Sequence, residues 1–418
     1  MILSFYPNFT FDLMAEIIGL TSIVVVSMIF IFIALRRPKI SNFLYVALIL
    51  RVFVILLGHY VVVLPDSSAD AHSFEWYSWL LAKGGFFDVL SNFNSPHHNH
   101  SFFFFLAIPY SLLGRSFLML QSFSLFFGMG TVYLGWKVAN ILWNNTAAKK
   151  VGWTIALFPS LILYSALIMR EVYIGFFLLV AIYGICKWYK TESFKSLIII
   201  VAGFSGASLL HGTLMVGGLA FAIIFCISAF KKMFISIVNN RLDFKILIIF
   251  LLVLYSLQLF TSNKISVSYL GSFAEATDTK ILTRKTIYSS SGKAAWPKWL
   301  SINSTAELIY KAPMRSLYFV FAPFPWNVKA TKHFIGMFDS FLYMYLVYLI
   351  SINIKDIWRD PSLRIILLLL LVYIFIYGFG VGNFGTGIRH RSKFAILFIL
   401  LAGPYIHKLN FFKKLNKI

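Results

Sequence analysis

Apolar residues run along this chain in long unbroken stretches, each closed by a short polar or basic cluster. A helix needs about 20 mostly apolar residues to cross the hydrocarbon of a bilayer. Windows of that kind fall at roughly 13–35, 43–64, 116–136, 151–169, 172–188, 196–211, 213–230, 245–261, 334–353, 363–379 and 394–408, which predicts about eleven spans. Phe102–Leu113 is apolar but too short to span, and reads as an interfacial or re-entrant helix. Leu317–Trp326, interrupted by Pro323 and Pro325, reads the same way. The expected fold class is therefore all-α: a polytopic integral membrane protein forming one transmembrane domain over residues 1–418.

Composition agrees with the pattern. The 418 residues are 59% hydrophobic and only 12% charged, against roughly 25% charged in soluble domains. This excludes a water-soluble enzyme, a disulfide scaffold and a disordered chain. The N-terminus lacks a basic leader region and a small-residue cleavage site, so its first apolar stretch is expected to be a retained anchor. Cys186 and Cys226 are too far apart in sequence to suggest a disulfide framework or a zinc motif.

Thirty-seven Lys and Arg against fifteen Asp and Glu leave a formal charge of +22. With no soluble domain to carry a reading helix or sheet, nucleic acid is not the expected partner. Basic residues instead collect on cytoplasmic loops and set orientation. Arg36, Arg37, Lys39, Lys149, Lys150, Lys187 to Lys195, Lys231, Lys232, Lys355, Arg359 and Lys408 to Lys417 all fall on one side if eleven spans alternate. That arrangement puts the N-terminus outside and the C-terminus in the cytoplasm. It leaves segments 65–101, 262–315 and 380–393 on the outer face, as the place to look for chemistry.

In the first outer segment Asp66 and Asp70 are four residues apart and Glu75 follows. On a short surface helix Asp66 and Asp70 would share a face. Crowded by Phe74, Trp76 and Trp79, a carboxylate there would hold its proton more tightly than usual, as a general base near neutral pH must. The competing reading is a solvated acidic loop beside an aromatic belt. His97, His98 and His100 suit substrate hydrogen bonding or plain loop polarity better than a metal site, though a divalent metal remains an alternative.

The last outer segment, GFGVGNFGTGIRHRSKF, sets Gly378, Gly380, Gly382, Gly385 and Gly387 before Arg389, His390, Arg391 and Lys393. Glycines admit close approach of backbone N–H groups to an anion, and guanidinium forks hold phosphate bidentately. The alternative is a flexible hairpin with charges among lipid headgroups. Arg315 precedes a proline-bent aromatic segment that suits either a lipid-tail groove or an interfacial belt. Arg51 lies within the second window, where a charge is costly unless paired. It is read either as a phosphate ligand or as the partner of Glu16. Arg170 and Glu171 are read as site residues or as a salt bridge at a helix end.

The order of these features resembles a known family. An acidic outer loop precedes PYSLLGRSFLMLQSFSLFFGMGTVYLGWKVANIL and then ALFPSLILYSALIMRE. Over about the first 180 residues this is similar to the GT-C superfamily of polytopic glycosyltransferases, except that the acidic loop follows the second span here rather than the first. The resemblance implies a polyprenyl-linked sugar donor, an outer-loop carboxylate that activates the acceptor (Asp70, with Asp66 as alternative), and Glu171 as a second acidic position. The basic cluster is similar to that of O-antigen-type polysaccharide polymerases. The expectation is a glycosyltransferase of the bacterial inner membrane, facing the periplasm. It would move sugar or oligosaccharide units from a polyprenyl-(pyro)phosphate carrier to a glycan or lipid acceptor, alone or in a polysaccharide assembly complex, with no cofactor. An O-antigen repeat-unit polymerase and a flippase of lipid-linked oligosaccharide are the alternatives.

Overall fold

The computed structural model describes residues 12–91, 101–238, 294–302, 304–328 and 331–406. Among them the chain is all-α, and the only β pairing is an isolated bridge between Ala295 and Asn383. The order is α1 (Leu13–Arg36), α2 (Pro38–Tyr60), α3 (Ala69–Ala82), α4 (Phe86–Ser91), α5 (Ser101–Leu113), α6 (Phe117–Leu142), α7 (Asn145–Leu157), α8 (Pro159–Ala166), α9 (Arg170–Thr191), α10 (Phe194–Leu210) and α11 (Met215–Val238). After the undescribed stretch come α12 (Thr305–Phe321), α13 (Thr331–Ile352), α14 (Ile354–Arg359), α15 (Pro361–Gly380), α16 (Phe384–Ser392) and α17 (Ala395–Ala402).

Six helices among the described residues are long and apolar enough to cross a membrane: α1, α2, α6, α9, the 212–231 stretch through most of α11, and α15. The windows at 196–211, 334–353 and 394–408 form shorter apolar helices. The window at 245–261 lies outside the described residues. The window at 151–169 is two helices, and the reason is local. Pro159 cannot continue a helix and pushes Phe158 to extended backbone (ψ 118°), so α7 stops at Leu157 and α8 starts at the proline.

That break explains Arg51. Pro159 has no N–H to give to the Ile155 carbonyl four residues back. Arg51 donates there instead (Nη2, 3.1 Å), and through Nη1 to Ala156 O at 3.0 Å and Ala47 O at 3.2 Å. It is fully buried. It is neither paired with Glu16, which binds His59 and Tyr60, nor at the wall of the large cavity described below. Its carbonyl contacts hold α2 against the α7–α8 break.

Packing tightens where side chains vanish. At Gly184 of α9 an added Cβ would lie 2.9 Å from the Ile200 backbone nitrogen of α10, so the two helices run in near-backbone contact. Beside this pair, α6 packs on α1, α7 and α9, while α12 lies along α15. Helices α2 and α15 run toward one end of the bundle, where Asp66 and Val381 follow them, and α9 starts there at Arg170. Lys39 of α2, Lys187 and Lys190 of α9 and Arg364 of α15 lie toward the opposite ends of these helices, roughly 30 Å away at 1.5 Å per residue. Arg36 and Arg37 at the α1–α2 junction and Lys355 and Arg359 of α14 adjoin them in the chain.

Candidate functional site

At the end where α2 and α15 finish and α9 starts is a cavity of about 710 Å³, inside the range of roughly 300–1,000 Å³ usual for small-molecule sites. Its wall is mostly apolar, built by Val54, Leu64, Leu157, Leu163, Phe384 and Ile388. Three residues expected from the sequence line it: Asp66, Asp70 and Arg389. Arg389 comes from more than 300 residues beyond the two aspartates in the chain.

Each is placed by a different device. Asp66 does not share a helical face with Asp70, contrary to expectation. It sits in the turn before α3 with φ +62°, in the left-handed region that Asp tolerates better than most residues. Its Oδ2 accepts a hydrogen bond of 2.8 Å from the Tyr164 hydroxyl. Asp70 lies in the first turn of α3 and pairs with Arg389 Nη1. Arg389 rides on α16, whose start is fixed by the Asn383 side chain accepting from Thr386 N at 2.8 Å. The glycine-rich segment is thus a capped helix and not a backbone nest. Gly385 and Gly387 lie inside α16, and among the described residues the positive-φ glycines are Gly85 and Gly114.

Behind Arg389 the polar chain continues into protein. Glu171, in the first turn of α9, faces Arg389 Nε at 3.3 Å and Lys393 Nζ at 3.5 Å. Its side chain is 1% exposed, and neither oxygen has a full hydrogen bond among the described residues. The expected Arg170–Glu171 end pair does not form as a contact. Arg170 points to the Leu210 carbonyl (3.4 Å) and lies over the Phe74 ring at 5.1 Å. Lys393 Nζ meets His390 Nδ1 at 2.8 Å. The His390 ring lies 5.6 Å from that of His211 and 5.1 Å from that of Tyr377. Tyr377 and His211 bond to each other at 3.2 Å.

Burial and charge act differently on each group. Desolvation raises the Asp66 proton affinity above that of an ordinary aspartate, although Tyr164 and Arg389 pull the other way. Burial works against the charge of Arg389, but Glu171 and Asp70 outweigh it and hold the guanidinium firmly charged. Burial pushes Lys393 down to about 7, against the pull of Glu171. His390 is driven well below the usual imidazole range by burial and by Lys393, so it is neutral and accepts the lysine's proton donor.

The other expected residues are elsewhere. Glu75 is no candidate base: Arg115 grips both its oxygens (2.8 and 2.9 Å), Tyr110 donates to it at 2.9 Å, and it is 2% exposed. Arg315 is buried and caps the end of α15, donating to the carbonyls of Gly378, Phe379 and Val381 and to that of Leu300. Such carbonyls have no partner within their own helix. Arg391 is likewise consumed, by the carbonyls of Val320, Ala322 and Gly336, by Asp339 and by Ser340. Neither arginine lines the cavity. His98, like His97 and His100, lies outside the described residues. Among those described, no group of three or more His, Cys, Asp or Glu is arranged to hold a metal ion.

Sequence reasoning passed over Tyr164 and Asp339, which both line the cavity. Asp339 carried a usable signal, as a lone carboxylate in the apolar run GMFDSFLYMYL. Tyr164 carried none, being one of twenty-one tyrosines. No known family model, no curated protein and no solved structure matches this chain.

Proposed function

We propose that this protein is a membrane glycosyltransferase acting at the outer face of a bacterial inner membrane in cell-envelope polysaccharide assembly. Its donor is a sugar or oligosaccharide carried on a polyprenyl phosphate or pyrophosphate, and its acceptor is a hydroxyl of a glycan or lipid. One observation carries the reading: a largely apolar cavity whose polar rim sets two carboxylates, Asp66 and Asp70, beside one firmly charged arginine. An apolar wall suits an isoprenoid chain, and a guanidinium suits the phosphate at its head. Basic residues toward the far ends of α2, α9 and α15 and at the junctions that adjoin them, taken as cytoplasmic, support an outward-facing site.

In this mechanism Asp66 accepts the proton as the acceptor oxygen attacks the anomeric carbon. The bond from that carbon to the phosphate oxygen breaks, and its electron pair leaves with the phosphate. Arg389 stabilises the charge that develops there. A single displacement of this kind inverts the anomeric centre. Asp66 takes the base's role over Asp70 because its proton affinity is raised and no guanidinium contacts it directly.

Of the five arginines expected to bind substrate, only Arg389 lines the cavity, which favours carboxylate-dependent transfer over an arginine-dominated polymerase. Beneath it, the void among Arg51, Tyr164 and Glu171 measures about 10 Å³, barely one water, which favours transfer over a flippase path. The test is a reconstitution with a polyprenyl-phosphate sugar donor and mass-spectrometric detection of new glycosidic product. Product that disappears in Asp66→Asn and Arg389→Gln but persists in Arg359→Gln supports the reading. Carrier movement without any new linkage overturns it in favour of transport.

A further inference from the structure

Of the carboxylates that line the cavity, Asp339 is taken by Arg391, and Asp66 and Asp70 are held in unlike ways. Asp66 accepts from a neutral tyrosine, whereas Asp70 is bound to Arg389, the one arginine at the wall among the described residues. Arg389 in turn has two carboxylate partners of opposite character. Glu171, 1% exposed, holds its Nε side from within the protein, and Asp70, 48% exposed, holds Nη1 from the cavity side.

We propose that Asp70 is the resident counter-ion of Arg389, and that the phosphate of an amphiphilic carrier lipid occupies the site by taking Arg389 over from Asp70. The exchange releases the Asp70 carboxylate into the cavity, where it can orient sugar hydroxyls. The ligand class rests on the function proposed above; the exchange itself rests on the pairing.

Charge balance gives the exchange its direction. Apart from the Asp339–Arg391 pair, the site groups the carboxylates Asp66, Asp70 and Glu171 with the basic residues Arg170, Arg389 and Lys393. When Asp70 turns away from Arg389, Glu171 is the contacting carboxylate left to the guanidinium among the described residues, and it is shared with Lys393, so the neighbourhood of the arginine becomes more positive. That surplus of positive charge faces a mostly apolar wall, where water screens it weakly. A phosphate restores the balance and offers the guanidinium fork a better-matched partner than one carboxylate oxygen.

Geometry decides which partner yields. Glu171 is enclosed in protein beside Lys393 and attracts the Nε edge of Arg389 as an ion pair without a formed hydrogen bond, so the guanidinium keeps an interior partner when Asp70 departs. Asp70 is half open to solvent and can hydrate when displaced. Ion pairs this exposed are weak. The pairing therefore lowers ligand affinity by a modest factor, as any competing state does.

The test is binding of farnesyl phosphate to the purified full-length protein in detergent, with farnesol and inorganic phosphate measured alongside. Removing the counter-ion in Asp70→Asn, and separately in Asp70→Ala, is expected to tighten farnesyl phosphate about three- to tenfold. Arg389→Gln weakens it by at least about tenfold, and the Asp70→Asn gain vanishes when combined with Arg389→Gln. Farnesol binding is unmoved by Asp70→Asn. Thermal melting identifies any variant whose fold is lost, and the two Asp70 variants must agree in sign. Unchanged or weaker farnesyl phosphate binding in both Asp70 variants overturns the exchange while the lipid-phosphate reading stands. Failure of every form to bind farnesyl phosphate overturns both. An equal gain for inorganic phosphate keeps the exchange but overturns the amphiphile as its ligand.

Discussion

Arg389 and Arg391 stand two residues apart on one short helix and do unrelated work. Two positions on a helix differ by about 200° in direction, so the two side chains leave α16 on nearly opposite sides. Arg391 goes into protein, 1% exposed, where carbonyls, Asp339 and Ser340 use its donors. Arg389 goes to the cavity wall, and its partners there are carboxylates, one of them half exposed. An arginine fixed by backbone carbonyls cannot serve a ligand without unpairing the ends of helices. An arginine fixed by a displaceable carboxylate can. The partner's nature, more than depth in the fold, separates the staple from the site.

Breaking the staple should have the larger effect. Arg391→Ala leaves Asp339 as an uncompensated buried charge and strips several carbonyls of a donor, a loss of roughly 3–5 kcal/mol of stability. Thermal melting in detergent and folded yield measure it. The double variant Arg391→Met/Asp339→Leu removes both charges and should recover much of that loss; equal instability of the double variant would break the staple assignment. Arg389→Gln is expected to leave the melting temperature within a few degrees of wild type and to lower the transfer rate about 10²–10³-fold, as removal of one transition-state donor does elsewhere. A variant that melts early with its rate per folded molecule intact would reverse the contrast between the two arginines.

The smaller test concerns the base. Because desolvation raises the proton affinity of Asp66, and a base acts only when deprotonated, the rate should climb with pH through a limb lying above the ordinary aspartate value of about 3.9. Tyr164→Phe removes a donor that favours the ionised form, so the limb should move further up by about half a unit or more. A limb that stays in place in Tyr164→Phe assigns the titration to another group.

Much of the fold could be read along the chain because lipid leaves helices few alternatives. Windows at 13–35, 43–64, 172–188 and 363–379 correspond to α1, α2, α9 and α15 within a few residues. The 151–169 window misled because hydropathy ignores the missing N–H of Pro159, although the proline was in plain view. For the site, residue types were legible and partners were not. Asp66, Asp70 and Arg389 were picked out by charge in outer segments, yet Arg51, Arg315 and Arg391 have the same chemistry and are taken by carbonyls. Carbonyls freed at a proline break or a helix end have no sequence signature of their own. Glu75 shows the same limit. Its partner Arg115 lies forty residues on, across α3 and α5, and only packing reveals the pair.

Lys393 offers the finest probe of the boundary between site and scaffold, since it joins Glu171 on one side and His390 on the other. Burial pushes it down to about 7, whereas an unfolded lysine titrates near 10.4. Between those values the unfolded chain holds a proton that the folded one has released. Stability should therefore rise with pH across that window and gain nothing further above it. Below pH 7 both states are protonated, and the cost of keeping the buried charge is borne in full. Lys393→Met removes the titration, so the difference in stability between wild type and variant should shift toward wild type from pH 7 to pH 10, by no more than a few degrees in melting temperature. A difference that stays level across that range would mean that Glu171 keeps Lys393 charged throughout. The buried chain behind Arg389 would then be a fixed array of ions, able to hold the arginine in place but not to take up or give away a proton.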